Sequence, residues 1–376
     1  MLPIWTSKVS NHVKNRSNPP SPLLSSIRML NLRILWLLLL GAFVPKLIYF
    51  LFSWSQSPSP PPFLVKPSKF LPPPPLPPSP SYYPPAKNDR SDAIPNVVHY
   101  VYGYKSQGVE EEEGELLPYY SYLAIRSAIV NLQPDEIHFH YKYKPRGPFW
   151  DLLEPHLTLL ETPAPDEIYG RKLEHFAHKS DVIRLQALQH TGGIYLDIDV
   201  FVTRSFAPLL PFHMVMAMEA SPNSDRPPLD PEGLCNAVIL SRKGERFLER
   251  WLESYKDFDG GDWAGLSVRK PWALARRYPN ELTVLNERAF FWPLWEGSGT
   301  ESRIRYVHEE SLHSFEQSGQ FTYHAWESLA MNYLGALTPE SVRASQSSFG
   351  KLVQAFVTDN DDVAYEKWRQ LKGIGN

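Results

Sequence analysis

The sequence predicts an α/β domain with a mostly parallel sheet, preceded by a single N-terminal transmembrane helix. Three observations support this prediction. Strand and helix patterns alternate after residue 92, an apolar run occupies residues 34–54, and one strand pattern ends in two carboxylates. Alternating strands and helices form parallel sheets that are covered by helices. Residues 93–376 are numerous enough for one large domain with a sizeable core.

The predicted elements follow one another in the order typical of such a domain. They are a strand at 97–102, a helix at 122–132, a strand at 136–143, a helix at 171–190, and strands at 194–198, 215–219 and 238–240. The run at 194–198 is apolar and rich in β-branched and aromatic residues, as expected of a strand buried on both faces. The Gly192-Gly193 pair before it predicts the turn out of the preceding helix.

The first 92 residues predict a membrane anchor and a spacer. Residues 34–54 are long and apolar enough to cross a bilayer, although Pro45 and Lys46 interrupt them. Five basic residues and no acidic ones precede this run, which predicts an N-terminus in the cytosol. We therefore expect a basic cytoplasmic tail at 1–33, a signal anchor at 34–54, a Pro-rich stem at 55–92 and a lumenal catalytic domain at 93–376. A cleaved signal peptide is the alternative, but the apolar run is too long and lacks a clear cleavage site.

The composition argues against a nucleic-acid partner and excludes an intrachain disulfide bond. The net charge of −3 and the lack of a basic aromatic patch argue against nucleic-acid binding. Cys235 is the only cysteine, so an intrachain disulfide is impossible, and a buried, inert thiol is expected. The stem holds PSPPP and LPPPPLPP and should form an extended polyproline II spacer.

The most informative segment is 178–200, HKSDVIRLQALQHTGGIYLDIDV. Asp197 and Asp199 stand at or just past the carboxyl end of the predicted strand, where open α/β sheets bind ligands. Carboxylate oxygens suit Mn²⁺ or Mg²⁺. Two other D-x-D patterns, at 257–259 and 359–361, lie in polar surroundings and predict solvated turns instead.

The helix before this strand adds a second pair of charges. Asp181, Arg184, Leu185 and Leu188 follow helical spacing, so the two charges share a face with two leucines and should point inward. A surface ion pair is one interpretation. Direct succession into the Asp197 strand favours the other, in which Asp181 accepts from sugar hydroxyls and Arg184 places charge near a sugar or diphosphate oxygen.

The pattern S-D-x-x-R-x-x-x-L-x-x-x-G-G-I-Y-L-D-x-D over residues 180–199 resembles the DXD-containing sugar-transferase family, glycosyltransferase family 32. The resemblance implies a Golgi mannosyl- or galactosyltransferase-like enzyme with the GT-A nucleotide-sugar fold. It also implies a divalent metal, Mn²⁺ or Mg²⁺, and retention of the donor's anomeric configuration. The donor is then a UDP- or GDP-hexose and the acceptor a glycan or a sphingolipid.

The same resemblance implies roles for individual residues. Asp181, Arg184, Asp197 and Asp199 would be catalytic, and Asp197, Asp199 and His324 would bind the metal. Donor contacts would come, beside Asp181 and Arg184, from four more residues: Tyr102 under the base, Tyr195, Asn236 facing the sugar, and Trp326 in the late loop Tyr323-His324-Ala325-Trp326. From the residues alone, Tyr102 is equally well a core aromatic and Asn236 a turn residue.

Two other classes of function remain as alternatives. A haloacid-dehalogenase-type phosphatase also places D-x-D after an apolar strand, and Asp361-Asp362 could supply its late acidic pair. That fold puts its nucleophile on the first strand, whereas here about a hundred domain residues precede Asp197, and Asp181 and Arg184 would have no role. A non-catalytic sugar-binding protein would not need both aspartates. The sequence therefore favours a glycosyltransferase.

Overall fold

The structure is a computed structural model that describes residues 93–105, 114–219, 231–293 and 300–373. The expected tail, anchor and stem at 1–92 lie outside these ranges, so their boundaries stay predictions. No helix within the described ranges is long and apolar enough to cross a membrane.

Strands and helices alternate through the first half of the domain, and helices dominate the second half. The strands are β1 (Val97–Val101), β2 (Glu136–Tyr141), β3 (Thr158–Glu161), β4 (Glu167–Ile168), β5 (Arg171–Lys172), β6 (Gly193–Leu196), β7 (Val200–Val202), β8 (Met214–Glu219), β9 (Gly233–Leu234), β10 (Val238–Ser241), β11 (Thr283–Leu285) and β12 (Thr322–His324). The α-helices are α1 (Tyr119–Leu132), α2 (Pro148–Leu153), α3 (Phe176–Thr191), α4 (Arg246–Glu253), α5 (Lys270–Arg277), α6 (Thr300–Glu309), α7 (Phe315–Ser318), α8 (Glu327–Leu334), α9 (Pro339–Ala344), α10 (Ser348–Gln354) and α11 (Asp361–Leu371). Short 3₁₀ turns occur at Glu154–His156 and Ser254–Asp257, and a π-helical turn at Gly265–Arg269.

The central sheet is mixed but mostly parallel, which confirms the predicted α/β class. Its strand order is β11-β8-β10-β6-β1-β2-β3, with β9 paired to β8. β10 is antiparallel to both β6 and β8, while the other pairs along this order are parallel. Apart from β10, all strands of this order therefore run in one direction, and their carboxyl ends face the same edge.

Both faces of the sheet are buried. In β6, Ile194 and Leu196 join one hydrophobic cluster and Tyr195 joins the other, because neighbouring side chains of a strand point to opposite faces. All four residues of β6 are buried. Burial on both faces is the usual state of a parallel strand, and it explains why β6 is apolar throughout.

The predicted elements up to residue 241 are confirmed within a few residues, with one exception. The helix expected at 171–190 begins only at Phe176. Tyr169 and Gly170 adopt left-handed backbone angles, which close an antiparallel hairpin between β4 and β5. Residues 171 and 172 therefore form a β-strand in this hairpin and cannot belong to the helix.

A second expectation is wrong at Asp361, which is fully buried and not in a solvated turn. The hydroxyl groups of Tyr119 and Tyr122 donate to its two carboxylate oxygens, each at 2.9 Å, and that of Thr358 donates to Oδ1. Asp257, Asp259 and Asp359 are exposed as predicted. Of the late acidic pair that a phosphatase would need, Asp361 thus holds α11 against α1, while Asp362 is exposed and pairs with Arg343 of α9.

The link from α3 into β6 fixes the position of the two aspartates. Gly193 has a φ of +113°, and a Cβ there would lie 2.4 Å from the carbonyl oxygen of Val97. Only glycine fits this close approach of β6 to β1. β6 ends at Leu196, so Asp197 and Asp199 lie in the turn before β7, as predicted.

Candidate active site

Asp181 and Arg184 are buried side by side on α3. Arg184 Nη2 lies 3.3 Å from Asp181 Oδ1, and Arg184 Nη1 lies 3.0 Å from Asp197 Oδ1. Arg184 Nη1 also donates to the carbonyl oxygen of Asn236 at 2.9 Å. The side-chain amide of Asn236 donates to Asp181 Oδ1 at 2.7 Å. The pair is therefore not a solvated surface pair. It belongs to a buried network that includes two predicted site residues, Asn236 and Asp197.

Asp197 is held from the protein side and open on the other. The Tyr195 hydroxyl donates to Asp197 Oδ1 at 2.6 Å, and the backbone N–H of Asp197 donates to the carbonyl oxygen of Ala237. The Arg184 guanidinium lies 4.4 Å from the centre of the Tyr195 ring. A quarter of the Asp197 side chain, 26 %, remains exposed. The carboxylate can therefore reach a ligand in the adjoining space while its orientation is fixed.

His324 reaches Asp199 because a short ladder joins distant parts of the chain. β12 pairs antiparallel with β7, which places His324 opposite Val200. His324 Nε2 then lies 3.4 Å from Asp199 Oδ1. The backbone N–H of Glu327, at the start of α8, donates to Asp199 Oδ2 at 2.7 Å. Asp199 is only 5 % exposed, so it is more deeply enclosed than a ligand at a solvent-facing strand end.

The buried ionisable side chains of this site shift one another's pKa values. Burial alone would raise the pKa of Asp199, but attraction to His324 and the hydrogen bond from the Glu327 backbone outweigh it and lower that pKa. Burial alone would lower the pKa of His324, but attraction to Asp199 outweighs it and raises that pKa. Burial raises the pKa of Asp181 in spite of Arg184. Because metal ligands bind in their deprotonated forms, a divalent ion would compete with the His324 proton.

Asp197, Asp199 and His324 form a group that fits a divalent metal. Each offers one ligand atom, and the three atoms lie within 4.8 Å of one another. Nδ1 of His324 is buried without a hydrogen-bond partner among the described residues, so the ring is not fixed through that atom. Two carboxylates and one imidazole suit Mn²⁺, and carboxylates suit Mg²⁺. The set matches the three metal ligands that the sequence predicts.

A cavity of about 650 Å³ opens in front of this group. It is within the size range of small-molecule sites, which combine apolar walls with a few polar groups. The lining includes five carboxylate residues, two histidines, Arg184 and Asn236, together with apolar side chains. The carboxylates are Asp181, Asp197, Asp199, Glu219 and Glu327, and the histidines are His178 and His324. All residues named as catalytic or metal-binding therefore meet in one place.

The remaining donor-binding predictions fall at different depths. Trp326 lines the cavity, and its ring centre lies 4.0 Å from that of His324. Tyr195 is buried under Arg184 and supports Asp197 from behind. Tyr102 is half-buried beside Phe139, lies close to Glu115 and does not line the cavity, although its neighbour Val101 does. Stacking of a base on Tyr102 stays a prediction.

Four cavity residues were not found from the sequence. Glu327 accepts a hydrogen bond from the Tyr120 hydroxyl at 2.7 Å, and burial raises its pKa. Glu327 directly follows the Tyr323–Trp326 loop, and His178 lies three residues before Asp181, so extending either pattern would have reached them. Glu219 and Trp263 carry no comparable signal. Cys235 is buried as predicted, and burial raises the pKa of its thiol, which keeps it protonated and unreactive.

The chain is similar to known proteins, and the similarity is strongest at the level of family. The family model described as "Glycosyltransferase sugar-binding region containing DXD motif" matches residues 125–216. Glucan organizing enzyme 1 of Cryptococcus neoformans var. grubii is 50% identical over 375 residues, which cover 98% of this chain and 100% of that protein. Two solved structures are more distant. The PaToxG glycosyltransferase is 17% identical with a TM-score of 0.34, covering 53% of this chain and 73% of its own. The galactosyltransferase LgtC, in complex with donor and acceptor sugar analogs, is 14% identical with a TM-score of 0.35, covering 70% and 96%.

Proposed function

The chain belongs to the family of glycosyltransferases with a DXD-containing sugar-binding region, and from this premise we propose the reaction that it catalyses. It transfers a hexose from a UDP- or GDP-sugar to a glycan or glycolipid acceptor, depends on Mn²⁺ or Mg²⁺, and retains the configuration of the sugar. The observation that carries the proposal is the convergence of Asp197, Asp199 and His324 at one cavity with the buried Asp181–Arg184–Asn236 network. The mostly parallel sheet suits the GT-A fold that the family resemblance implies.

Asp197, Asp199 and His324 hold the metal in this proposal. When bound, the ion supplies Lewis-acid neutralisation of the charge that grows on the departing diphosphate. Asp199 is oriented for this task by the Glu327 backbone, and Asp197 by Tyr195 and Arg184. The protein therefore presents the two carboxylate ligands already oriented, which limits reorganisation during the reaction.

In this proposal the main role of Arg184 is to position other protein groups of the site. Its Nε and Nη2 lie within 3.5 Å of the Ser180 carbonyl and hydroxyl oxygens, and Nη1 contacts Asn236 and Asp197. With all three guanidinium nitrogens in contact with protein oxygens, Arg184 holds Asp181 and Asp197 in register and supplies positive charge to the cavity wall. Asp181 and the Asn236 amide then face the hydroxyl groups of the donor sugar.

Retention is consistent with attack from the face of the leaving group. The acceptor oxygen forms a bond to the anomeric carbon, the bond from that carbon to the diphosphate oxygen breaks, and the diphosphate takes the acceptor's proton. This route needs no side chain as a general base. Anomeric retention is read from the product by NMR, and an inverted product would overturn this part of the proposal.

The test of the function uses the full-length protein with a panel of UDP- and GDP-hexoses. One donor should be hydrolysed or transferred only with Mn²⁺ or Mg²⁺, and Asp197→Asn and Asp199→Asn should each abolish turnover. The matched controls Asp257→Asn and Asp359→Asn lie in the exposed D-x-D patterns and should keep full activity. Metal-independent transfer would contradict the proposal. An aspartyl-phosphate trapped on Asp197 would establish the phosphatase alternative instead.

We also propose that the enzyme is a single-pass Golgi protein with its catalytic domain in the lumen. The support is the apolar run at 34–54 with its basic flank. The full-length protein should resist carbonate extraction, and protease added outside sealed vesicles should spare the C-terminal domain. Digestion of that domain from the cytosolic side would contradict the proposed orientation.

A further inference from the structure

A second, smaller cavity shares His178 with the active-site cavity. It has a volume of about 320 Å³ and is lined by Lys172, Glu174, His175, His178, Phe258, Gly260 and Gly261. These residues come from β5, the start of α3 and the loop after the 3₁₀ turn at Ser254–Asp257. None of them is needed for the metal group or for the Asp181–Arg184–Asn236 network. The second cavity is therefore a space that the proposed donor site does not use.

His178 is a buried polar residue whose hydrogen bonding is incomplete. It is 3 % exposed and lines both cavities, and its Nε2 has no hydrogen-bond partner among the described residues. Buried polar atoms in folded proteins nearly always have a partner, so this one points to a ligand group. Burial lowers the pKa of His178, which keeps the ring neutral. A neutral ring nitrogen can donate to or accept from a hydroxyl group.

Aromatic surface accompanies the second cavity. Trp263 lines the active-site cavity, is 62 % exposed, and lies 5.2 Å from His178 and 5.8 Å from His175 between ring centres. Tyr169 and Phe176 are the other two aromatic side chains exposed in the described ranges. They belong to the β4–β5 hairpin and the first turn of α3, which both adjoin cavity-lining residues. Of the three, Trp263 is the one that lines a cavity, and an exposed aromatic ring in such a place is a candidate binding surface.

The chemistry of these walls distinguishes a sugar chain from a lipid. A hexose presents an apolar face of C–H groups, which packs on an aromatic ring, and an edge of hydroxyl groups, which need donors and acceptors. Trp263 offers the ring, and His178, Lys172 and Glu174 offer the polar partners. An acyl chain would leave the lysine and the glutamate buried without suitable partners.

We propose that Trp263 and the second cavity form an acceptor subsite for an oligosaccharide, in which a sugar unit beyond the reacting one stacks on Trp263 and bonds to His178. The inference rests on the proposed transferase function and narrows its acceptor to a glycan chain of at least two sugar units. The reacting hydroxyl lies in the active-site cavity, and the rest of the chain leaves through the second cavity.

The kinetic test compares acceptors of increasing length in the full-length enzyme. Glucose and mannose oligosaccharides of one to six units are used, and the rate of donor hydrolysis without acceptor is measured for every variant. In either the glucose series or the mannose series, kcat/KM for the acceptor should rise about tenfold or more between one sugar unit and three. Trp263→Ala should abolish this rise within the same series, Trp263→Phe should keep most of it, and Leu312→Ala, another exposed apolar position outside both cavities, should leave it intact.

A binding test separates this inference from the proposed function. Saturation-transfer NMR without donor measures the affinity of the same oligosaccharides, and it applies even if no donor is turned over. Trp263→Ala and His178→Ala should weaken binding of the longer sugars by about tenfold. Thermal melts confirm that each variant is folded. Equal affinity for one and three units in both series, or length dependence that survives Trp263→Ala, overturns the subsite. If the wild type turns over none of the donors, the proposed function is overturned, but the subsite is still tested by the binding measurements.

Discussion

Replacing Arg184 by lysine tests whether a single side chain sets the geometry of the site. The substitution keeps the positive charge but replaces a planar fork with one compact ammonium group. Arg184 joins Asp181 at 3.3 Å and Asp197 at 3.0 Å, and it also binds the Asn236 carbonyl oxygen. Asp181 and Asp197 are contacted by different nitrogens, Nη2 and Nη1, and the single nitrogen of a lysine cannot reproduce the geometry of both contacts. At least one of the two aspartates then loses its fixed position.

The size of the effect follows from the lost contact. A hydrogen bond to a charged group contributes about 1.5–3 kcal/mol, and these side chains are mostly buried, so water compensates little. If that contact is needed in the transition state, kcat/KM should fall by about tenfold to a hundredfold. The Mn²⁺ concentration for half-maximal activity should rise as well, because Asp197 is one of the proposed ligands.

The assay is metal-dependent hydrolysis of the donor found in the panel, together with a thermal melt. Arg250→Lys is the matched control, because Arg250 lies outside the cavity, pairs with Glu281 at 3.0 Å and sits 3.8 Å from the Tyr278 ring centre. It should change neither kcat/KM nor the Mn²⁺ requirement. If Arg184→Lys lowers the melting temperature while kcat/KM and the Mn²⁺ requirement match those of the control, Arg184 does not set the geometry of the site.

Two further predictions concern stability. Gly193→Ala should lower the free energy of unfolding by at least about 2 kcal/mol in chemical denaturation, because the new Cβ would clash with the Val97 carbonyl oxygen. Gly170→Ala is the control: no atom lies within 4 Å of its Cβ, so it should cost only about 1–2 kcal/mol of backbone strain. Equal losses in the two variants would contradict the clash. Burial lowers the pKa of His99 to about 3, so the unfolded chain takes up a proton below about pH 6.5 that the folded chain refuses. The stabilisation that comes from the neutral His99 ring is fully present above pH 6.5 and is lost as the pH falls towards 3. The wild type therefore loses up to about 2 kcal/mol of unfolding free energy between pH 7 and pH 5 through this residue, and His99→Gln should abolish that loss. The same change at exposed His156 should leave the pH dependence as it is.

The part of the fold that the sequence could predict is the part with local patterns. β6 is a continuous apolar run, and β1 and β8 are apolar except for His99 and Glu219. α3 has four turns, enough for helical spacing to show which side is buried. Helices such as α7 and α9 have four and six residues. One or two turns contain too few positions to reveal a period, so the C-terminal helical layer had no signal of its own.

The parts that could not be predicted depend on distant partners. Asp361 looks solvated in the sequence because its neighbours are polar, yet it is buried by two tyrosines that precede it by 242 and 239 residues. The same holds for Tyr102, whose hydroxyl lies close to Glu115 and whose ring packs near Phe139. A local pattern cannot distinguish such a residue from a base platform, since aromatic residues serve both purposes in strands.

His324 shows how the site depends on the whole domain. It joins Asp199 only because three residues of β12 pair with three of β7, and the Ala325 N–H then donates to the Asp199 carbonyl oxygen at 3.0 Å. The next turn begins α8, whose Glu327 N–H fixes the Asp199 carboxylate. The proposed metal group is thus completed by His324 from the C-terminal segment, while the Asp181–Arg184 pair that orients Asp197 comes from α3. Weakening the β7–β12 pairing should therefore impair metal binding while leaving the α3 network in place, because different elements hold the two halves of the site.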